Sequence, residues 1–462
     1  MSLSFARFLE ACQGRFVADA TALPAMLRPS TDSRSLIAGE TFVCLHGPTY
    51  DGHDFIVDAL ARGAAACVVD DTSKVPRGTN VPVIRVKDAK AAYLAGAKAA
   101  RAAFRGQLIA VTGSNGKTTT KDFIAQIVGA YRRVLATPNN ENNELGVAKL
   151  CYRLDDEVDV AICEFGARKP GDIEQLVDIA SPAIGILTGV GEAHLEYFRG
   201  KEELARTKFA VFSGGARPVC SASDTWSRML AAEARLDGST LWVRLLGDPV
   251  MSGIMLEAGE VRDERIAITF GASHAFASWV LPGLHNLRNA LLAAGAAILA
   301  GLSLEEALGA FGRLRLPAGR FESHTLTSGA TLVYDAYNAS PSSMLASLQT
   351  FAALPAARHI AVLGSMAELG DQAANMHREL GVAAGRLSLD ELYCGGVFAT
   401  ELAAGARDAG MRAVHTFESN DEMSDCLLRE ARLGDYILLK GSRVQKMEQI
   451  LQRLAAPGML AS

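Results

Sequence analysis

The sequence has little that would carry it across a membrane or onto a polyanion. Its 462 residues include eight cysteines, at positions 12, 44, 67, 151, 163, 220, 394 and 426, with no C-x-x-C pair among them. That scatter argues against a disulfide frame or a cysteine zinc site and leaves reduced core thiols. Residues 1–10 contain Arg7 and no uninterrupted apolar run, so no secretory signal is expected. The uncharged, alanine- and leucine-rich stretch at residues 289–304 is shorter than the roughly 20 residues needed to span a bilayer. It reads as a buried helix. Neither sign of charge dominates: 46 Lys and Arg against 51 Asp and Glu leave a net charge of −5. Nucleic-acid binding through bulk positive charge is therefore excluded. No short tandem repeat is present. The expectation is a cytoplasmic chain, monomeric and without membrane insertion.

What is there is the composition of an ordinary enzyme, 49% hydrophobic and 21% charged, in a length that predicts about three domains. Residues 41–45 and 66–69 read as short strands, and residues 89–104, rich in alanine, as a helix leading out of the first region. Apolar runs at 108–112, 158–163 and 184–188 have the length and continuity of parallel strands covered on both faces. Between about 253 and 280 the period becomes two, as in antiparallel hairpins at an edge. Leu281-Pro282-Gly283 then breaks the chain. After Gly319, strands at 331–334, 360–363, 391–394 and 436–439 alternate with helical patterns, as in a doubly wound sheet. The fold class expected is α/β in three domains. Residues 1–105 form a small N-terminal α/β domain, 106–316 a central P-loop ATPase-like parallel sheet, and 317–462 a C-terminal Rossmann-like doubly wound sheet.

The strongest chemical signal is Gly113-Ser114-Asn115-Gly116-Lys117-Thr118-Thr119. It follows a strand and precedes a helix whose apolar face is Phe123, Ile124, Ile127, Val128 and Tyr131. Glycines let backbone N–H groups turn toward phosphate, and the helix N-terminus adds partial positive charge. Lys117 can reach the β- and γ-phosphates, and the Thr118 hydroxyl can ligate Mg²⁺. The chain departs from the full G-x-x-x-x-G-K-[ST] pattern at Val111. The loop predicts an ATP or GTP site, and alone it leaves kinase, switch, motor, ligase and non-catalytic binding module open.

The next segments narrow the choice. Residues 137–146 carry four asparagines, Asn142 and Asn143 among them, placed to hydrogen-bond a polar substrate. Glu164 ends a strand at the sheet edge where ligands bind and is placed to hold Mg²⁺. His194 follows the 184–188 strand in the same geometric position. Lys208 on its own would pass for helix surface.

Taken together, the motifs resemble those of the Mur ligases, the ATP-dependent amino-acid and peptide ligases of peptidoglycan precursor synthesis. The resemblance rests on Gly113-x-x-Gly116-Lys117-Thr118-Thr119, Asn142-Asn143-Glu144-x-Gly146, Ala193-His194-Leu195-Glu196, Pro282-Gly283-x-His285-Asn286-x-x-Asn289, Gly319-Arg320-Phe321-Glu322 and Asp335-Ala336-Tyr337-Asn338, in that order. It covers essentially the whole chain. Within the family, Asp32-Ser33-Arg34, Asp51-Gly52-His53-Asp54-Phe55, Ala367-Glu368-Leu369-Gly370 and Lys440-Gly441-Ser442-Arg443 favour the branch that joins D-alanyl-D-alanine to a UDP-N-acetylmuramoyl-tripeptide. The Asp-Asn-Pro-Arg motif of diaminopimelate-adding relatives is absent. Other Mur-type ligases, acting on the UDP-muramoyl dipeptide or resembling folylpolyglutamate synthetase, are the alternative.

The resemblance also implies residue roles. Gly113, Ser114, Asn115, Gly116, Lys117, Thr118 and Thr119 would bind ATP phosphates, and Asn286 and Asn289 the adenine side. Arg320 and Asp335 would contact ATP phosphate and ribose. Thr118, Glu164, His194 and Lys208 would hold Mg²⁺, two ions, with Lys208 carried as a carbamate. Lys117, Glu164, His194 and Lys208 form the catalytic set. Ser33, Arg34 and His53 would grip the UDP precursor, with Asn142 and Asn143 also on substrate. Asn338 and Glu368 would lie on the incoming-amine side. Ser365, Ala367 and Ser340 depart from the family's pattern there.

Overall fold

Five of the six residues in Gln107–Thr112 are buried, and a strand covered on both faces needs helices on both. In the computed structural model, which describes residues 3–17, 26–138, 141–193 and 195–455, this strand lies inside a nine-stranded sheet. Its neighbours, Val160–Glu164 and Ile184–Leu187, both run parallel to it. Val134–Ala136 forms one edge. On the other side Arg217–Ser221, Leu241–Leu245 and Ile254–Arg262 continue the parallel order. Two antiparallel strands, Arg265–Phe270 and Ser273–Ser278, finish the sheet. The period-two region thus differs from a set of pure hairpins, because its first strand is also the last parallel one.

Helices cover both faces. Lys117–Gly129 packs against Leu284–Leu299, the helix expected from the uncharged stretch, whose alanines allow close approach. Phe123, Ile124, Ile127 and Val128 are fully buried with Ile109 and Val111 of the sheet. Tyr131, expected on the same face, is exposed because the helix stops at Gly129.

A five-stranded sheet precedes this one, in the order Arg15–Phe16, Val83–Arg85, Ala66–Val69, Thr41–Val43, Pro29–Ser30. It is parallel apart from the first strand. Helix Ala89–Ala103 starts at Asp88, whose carboxylate caps the Ala91 N–H. Its small buried face, Ala92, Gly96, Ala97 and Ala100, packs against helix Glu144–Tyr152 beside the central sheet. A six-stranded sheet follows, in the order Glu322–Thr325, Thr331–Tyr334, Asp435–Lys440, Arg358–Leu363, Glu391–Cys394, Val414–Thr416, and is parallel apart from its first strand. All eight cysteines are free. Among the described residues no helix is long and apolar enough to cross a membrane.

Candidate active site

The phosphate loop leaves the central sheet at the strand where chain order reverses, between Val160–Glu164 and Ile184–Leu187. This is where open α/β sheets bind ligands. Val111, the departure from the full pattern, is a buried strand residue paired with Glu164 and Ile186, so the turn begins only at Gly113. Gly113 has φ +145°, and a Cβ there would lie 1.9 Å from Thr188 Oγ1. Gly116 has φ +79°, and its Cβ would lie 2.5 Å from Asn289 Oδ1. Only glycine fits either place. Thr188 Oγ1 fastens the loop by donating to the Asn115 carbonyl at 2.5 Å, and Lys117 Nζ donates to the carbonyls of Gly113 and Ser114 at 2.9 and 3.1 Å.

Behind the loop lies a buried polar cluster. Thr118 Oγ1 donates to Glu164 Oε2 at 2.7 Å, and Asn142 Nδ2 to Glu164 Oε1 at 3.0 Å. Lys208, on helix Lys201–Phe209, is 0% exposed and its Nζ has no hydrogen-bond partner. Burial, reinforced by the nearby Lys117 charge and opposed by Glu164, holds Lys208 well below the usual lysine range. Lys117 is lowered for the same first reason, with Arg320 adding to it. Burial of this kind favours the neutral, nucleophilic form of a lysine.

Across from the loop stand the carboxyl ends of the third sheet. Lys440 Nζ, buried, bonds Asp335 Oδ2 at 2.7 Å and the Asp335 carbonyl at 3.1 Å. Arg320 and Arg443 lie over the Tyr337 ring at 4.8 and 6.0 Å. Asn115 reaches over to this side: its Nδ2 donates to Ser342 Oγ at 3.0 Å, and its Oδ1 accepts from Ser340 Oγ at 2.9 Å. His285 sits between the two sides, and burial pushes it down to about 4, with Asp335 opposing. Loop and strand ends together enclose a cavity of about 1300 Å³.

Three family models match successive parts of the chain: the Mur ligase family catalytic domain over residues 30–108, the Mur ligase middle domain over 111–297, and the Mur ligase glutamate ligase domain over 319–443. A UDP-N-acetylmuramoyl-tripeptide–D-alanyl-D-alanine ligase from Synechocystis is 34% identical over 432 residues, 92% of this chain and 91% of that one. The chain belongs to the Mur ligase family. MurF from Acinetobacter baumannii superposes with a TM-score of 0.87 at 25% identity, covering 98% of this chain and 99% of that one. MurF from Thermotoga maritima in complex with ADP gives 0.77 at 26%, covering 93% and 97%.

Most of the residues expected from the Mur motifs line the one cavity: Ser114 to Thr119, Asn142, Asn143, Glu164, Lys208, Asn286, Asn289, Arg320, Asp335, Asn338 and Glu368. Asn143 is placed chiefly as a helix cap, its Oδ1 accepting the Gly146 N–H at 2.9 Å. A side-chain oxygen so used is a local structural device first. Asn338 Oδ1 likewise accepts the neighbouring Ala339 N–H at 2.9 Å, and Asn286 Nδ2 donates to the Pro282 carbonyl at 2.8 Å.

Ser33, Arg34 and His53 are not among the cavity's lining residues. Arg34 is exposed and paired bidentately with Asp32 at 2.9 and 2.8 Å. His53 is buried in contact with Asp51 and Asp70, its ring enclosed within the first domain. His194 lies outside the described residues, as do two of the four asparagines, Asn139 and Asn140.

The expected set omits Lys440, His285, Tyr337, Arg443, Ser340 and Ser342. Four of these sit in motifs quoted for the family. Ser340 enters only as a departure from the family's pattern, and Ser342 carries no local signal, since the partner of both, Asn115, is more than two hundred residues away.

Proposed function

We propose that this Mur ligase uses ATP to join D-alanyl-D-alanine to a UDP-N-acetylmuramoyl-tripeptide. The observation that carries the reading is the single cavity between the phosphate loop and the third sheet's carboxyl ends, where an activated carboxyl group and an incoming amine can meet. The tripeptide's terminal carboxylate attacks the γ-phosphorus, giving an acyl phosphate and ADP. The dipeptide amine then attacks the acyl carbon and loses a proton as phosphate leaves. Lys117 and Arg320 neutralise charge on the transferring phosphoryl group. Enclosure by the third domain keeps water from hydrolysing the acyl phosphate. Arg34 and Ser33 are assigned to the UDP end of the precursor, and Asn338 and Glu368 to the amine.

The donor set fits Mg²⁺, because Glu164 and Thr118 bring a carboxylate and a hydroxyl together at 2.7 Å, and Mg²⁺ prefers oxygen ligands. When bound, the metal would neutralise phosphate charge. Lys208 is the second part of this site. Its unpaired buried amine can add CO₂ and lose a proton, and the resulting carbamate offers oxygen in place of an ammonium. Lys208→Ala is expected to be nearly inactive and partly rescued by short carboxylic acids; full activity of that variant would remove the carbamate.

One assay tests the reaction: the chain with ATP, Mg²⁺, D-Ala-D-Ala and UDP-muramoyl peptides of different lengths, products read by mass. The expected product is the pentapeptide precursor, with ADP and phosphate. An amide formed instead from the dipeptide precursor and a single amino acid would replace this reading with that of another Mur ligase.

A further inference from the structure

In the first sheet the parallel strands Thr41–Val43 and Ala66–Val69 lie side by side, and the chain beyond their carboxyl ends brings His46 and Asp70 together. His53, in the short helical turn Gly52–Phe55, lies against both. His46 Nε2 is 3.0 Å and His53 Nε2 3.3 Å from Asp70 Oδ1. The three ligand atoms all lie within 4.8 Å of one another.

Each of these groups is aimed by a second contact. Asp51 Oδ1 lies 2.7 Å from His53 Nδ1 while also accepting the His53 backbone N–H at 2.9 Å. A carboxylate can only accept, so Nδ1 carries a proton and Nε2 is the ring atom left to meet Asp70, through a proton or through a metal ion. The Ala89 N–H donates to Asp70 Oδ2 at 3.0 Å, leaving Oδ1 turned toward the histidines. His46 Nδ1 is 3.4 Å from Asp51 Oδ1. Contacts of this kind on the far atom of each ligand orient metal-binding histidines and carboxylates.

The His53 side chain is 0% exposed, and its Nε2 faces a carboxylate oxygen at 3.3 Å away from solvent. Two such atoms need a positive centre between them, a proton or a metal ion. The Asp71 N–H, also at 3.3 Å, is a long donor. The Lys74 ammonium is engaged with Asp51 Oδ2.

We propose that His46 Nε2, His53 Nε2 and Asp70 Oδ1 bind a divalent transition-metal ion of the zinc type, with water as the fourth ligand. Two imidazoles and one carboxylate suit zinc or cobalt, whereas Mg²⁺ takes oxygen ligands. His46, half exposed, provides the route of entry. The ion would clasp two strand ends and the intervening turn of the first domain, independently of the ligase site.

The test uses the full chain, stripped by chelator, held in excess Mg²⁺ and titrated with Co²⁺ as the probe. The expected result is one equivalent bound with the visible bands of four-coordinate cobalt, displaced by Zn²⁺. His46→Ala, at a solvent-facing position, and Asp70→Asn should each abolish the bands. Asp51→Asn, which removes the carboxylate orienting His53, should weaken binding about 10–100-fold. Zinc should raise the Tm of the unsubstituted chain and leave that of His46→Ala unchanged. Absence of the bands from the unsubstituted chain would mean that a proton separates His53 from Asp70 and would overturn the proposal, as would bands that persist in either ligand variant.

Discussion

Where the first sheet meets the central one, Tyr93, Ala97 and Ala100 pack with Val147, Leu150, Leu176 and Ile179 in one continuous hydrophobic cluster. Where the third sheet meets it, the contacts are polar: Asn115 with Ser340 and Ser342, and the Glu196 N–H with the Glu368 carbonyl at 3.4 Å. The third sheet keeps its own cores, and among the described residues the linker's Leu316 packs against both clusters. Polar ties at the first junction only reinforce it. Arg101 donates to the Ala180 and Ser181 carbonyls at 2.6 and 2.8 Å, Tyr152 to the Tyr93 carbonyl at 2.6 Å, and Lys90 pairs with Glu144 at 2.7 Å.

The difference has a physical meaning. Parting an apolar junction exposes surface at about 25 cal/mol per Å², whereas parting hydrogen bonds into water costs little net. The first two domains are therefore expected to behave as one body, and the third to be the one that opens and closes over the cavity.

The largest test of this contrast is Leu150→Ala. Leu150 is 1% exposed in the shared cluster, and such truncations cost about 2–5 kcal/mol. Chemical denaturation should show the first two regions losing stability together, while the third keeps its own transition. An unchanged midpoint would mean that the junction is not a shared core. Lys117→Ala comes next, with an expected rate loss of about 10²–10³ and no loss of fold; near-normal turnover would take the phosphate loop out of the chemistry.

His285, between the two sides, sharpens the comparison through pH. It is held at about 4 in the folded state against about 6.5 unfolded. As pH falls from about 6.5 to about 4 the unfolded chain takes up a proton that the folded chain refuses, so stability falls across that window and levels below it. The effect is on the order of 3 kcal/mol at most. His285→Gln should flatten that part of the stability–pH curve, and an unchanged slope would show that His285 is not held neutral. Smallest is Ser342→Ala at the polar junction, costing about 0.5–1.5 kcal/mol of domain contact. Small-angle scattering should report a more open average form, with global unfolding unchanged. A large loss of overall stability would erase the distinction between the two junctions.

Much was legible from residue order alone, because the signals are local. Continuous apolar runs mark parallel strands, and Gly113-x-x-Gly116-Lys117 after a strand marks a tight strand-to-helix loop whose two glycines have positive φ. Tertiary structure alone decided three things. Lys208 reads as helix surface, and only packing makes it a buried amine with no partner. His53, His46 and Asp70 carry no common local signal, and only the adjacency of two strand ends brings them together. The two junctions differ, although the alanines of the Ala89–Ala103 helix and the serines near Pro341 are equally unremarkable in sequence. Burial and pairing across tens to hundreds of residues depend on where the sheets place those segments, and no local pattern encodes that.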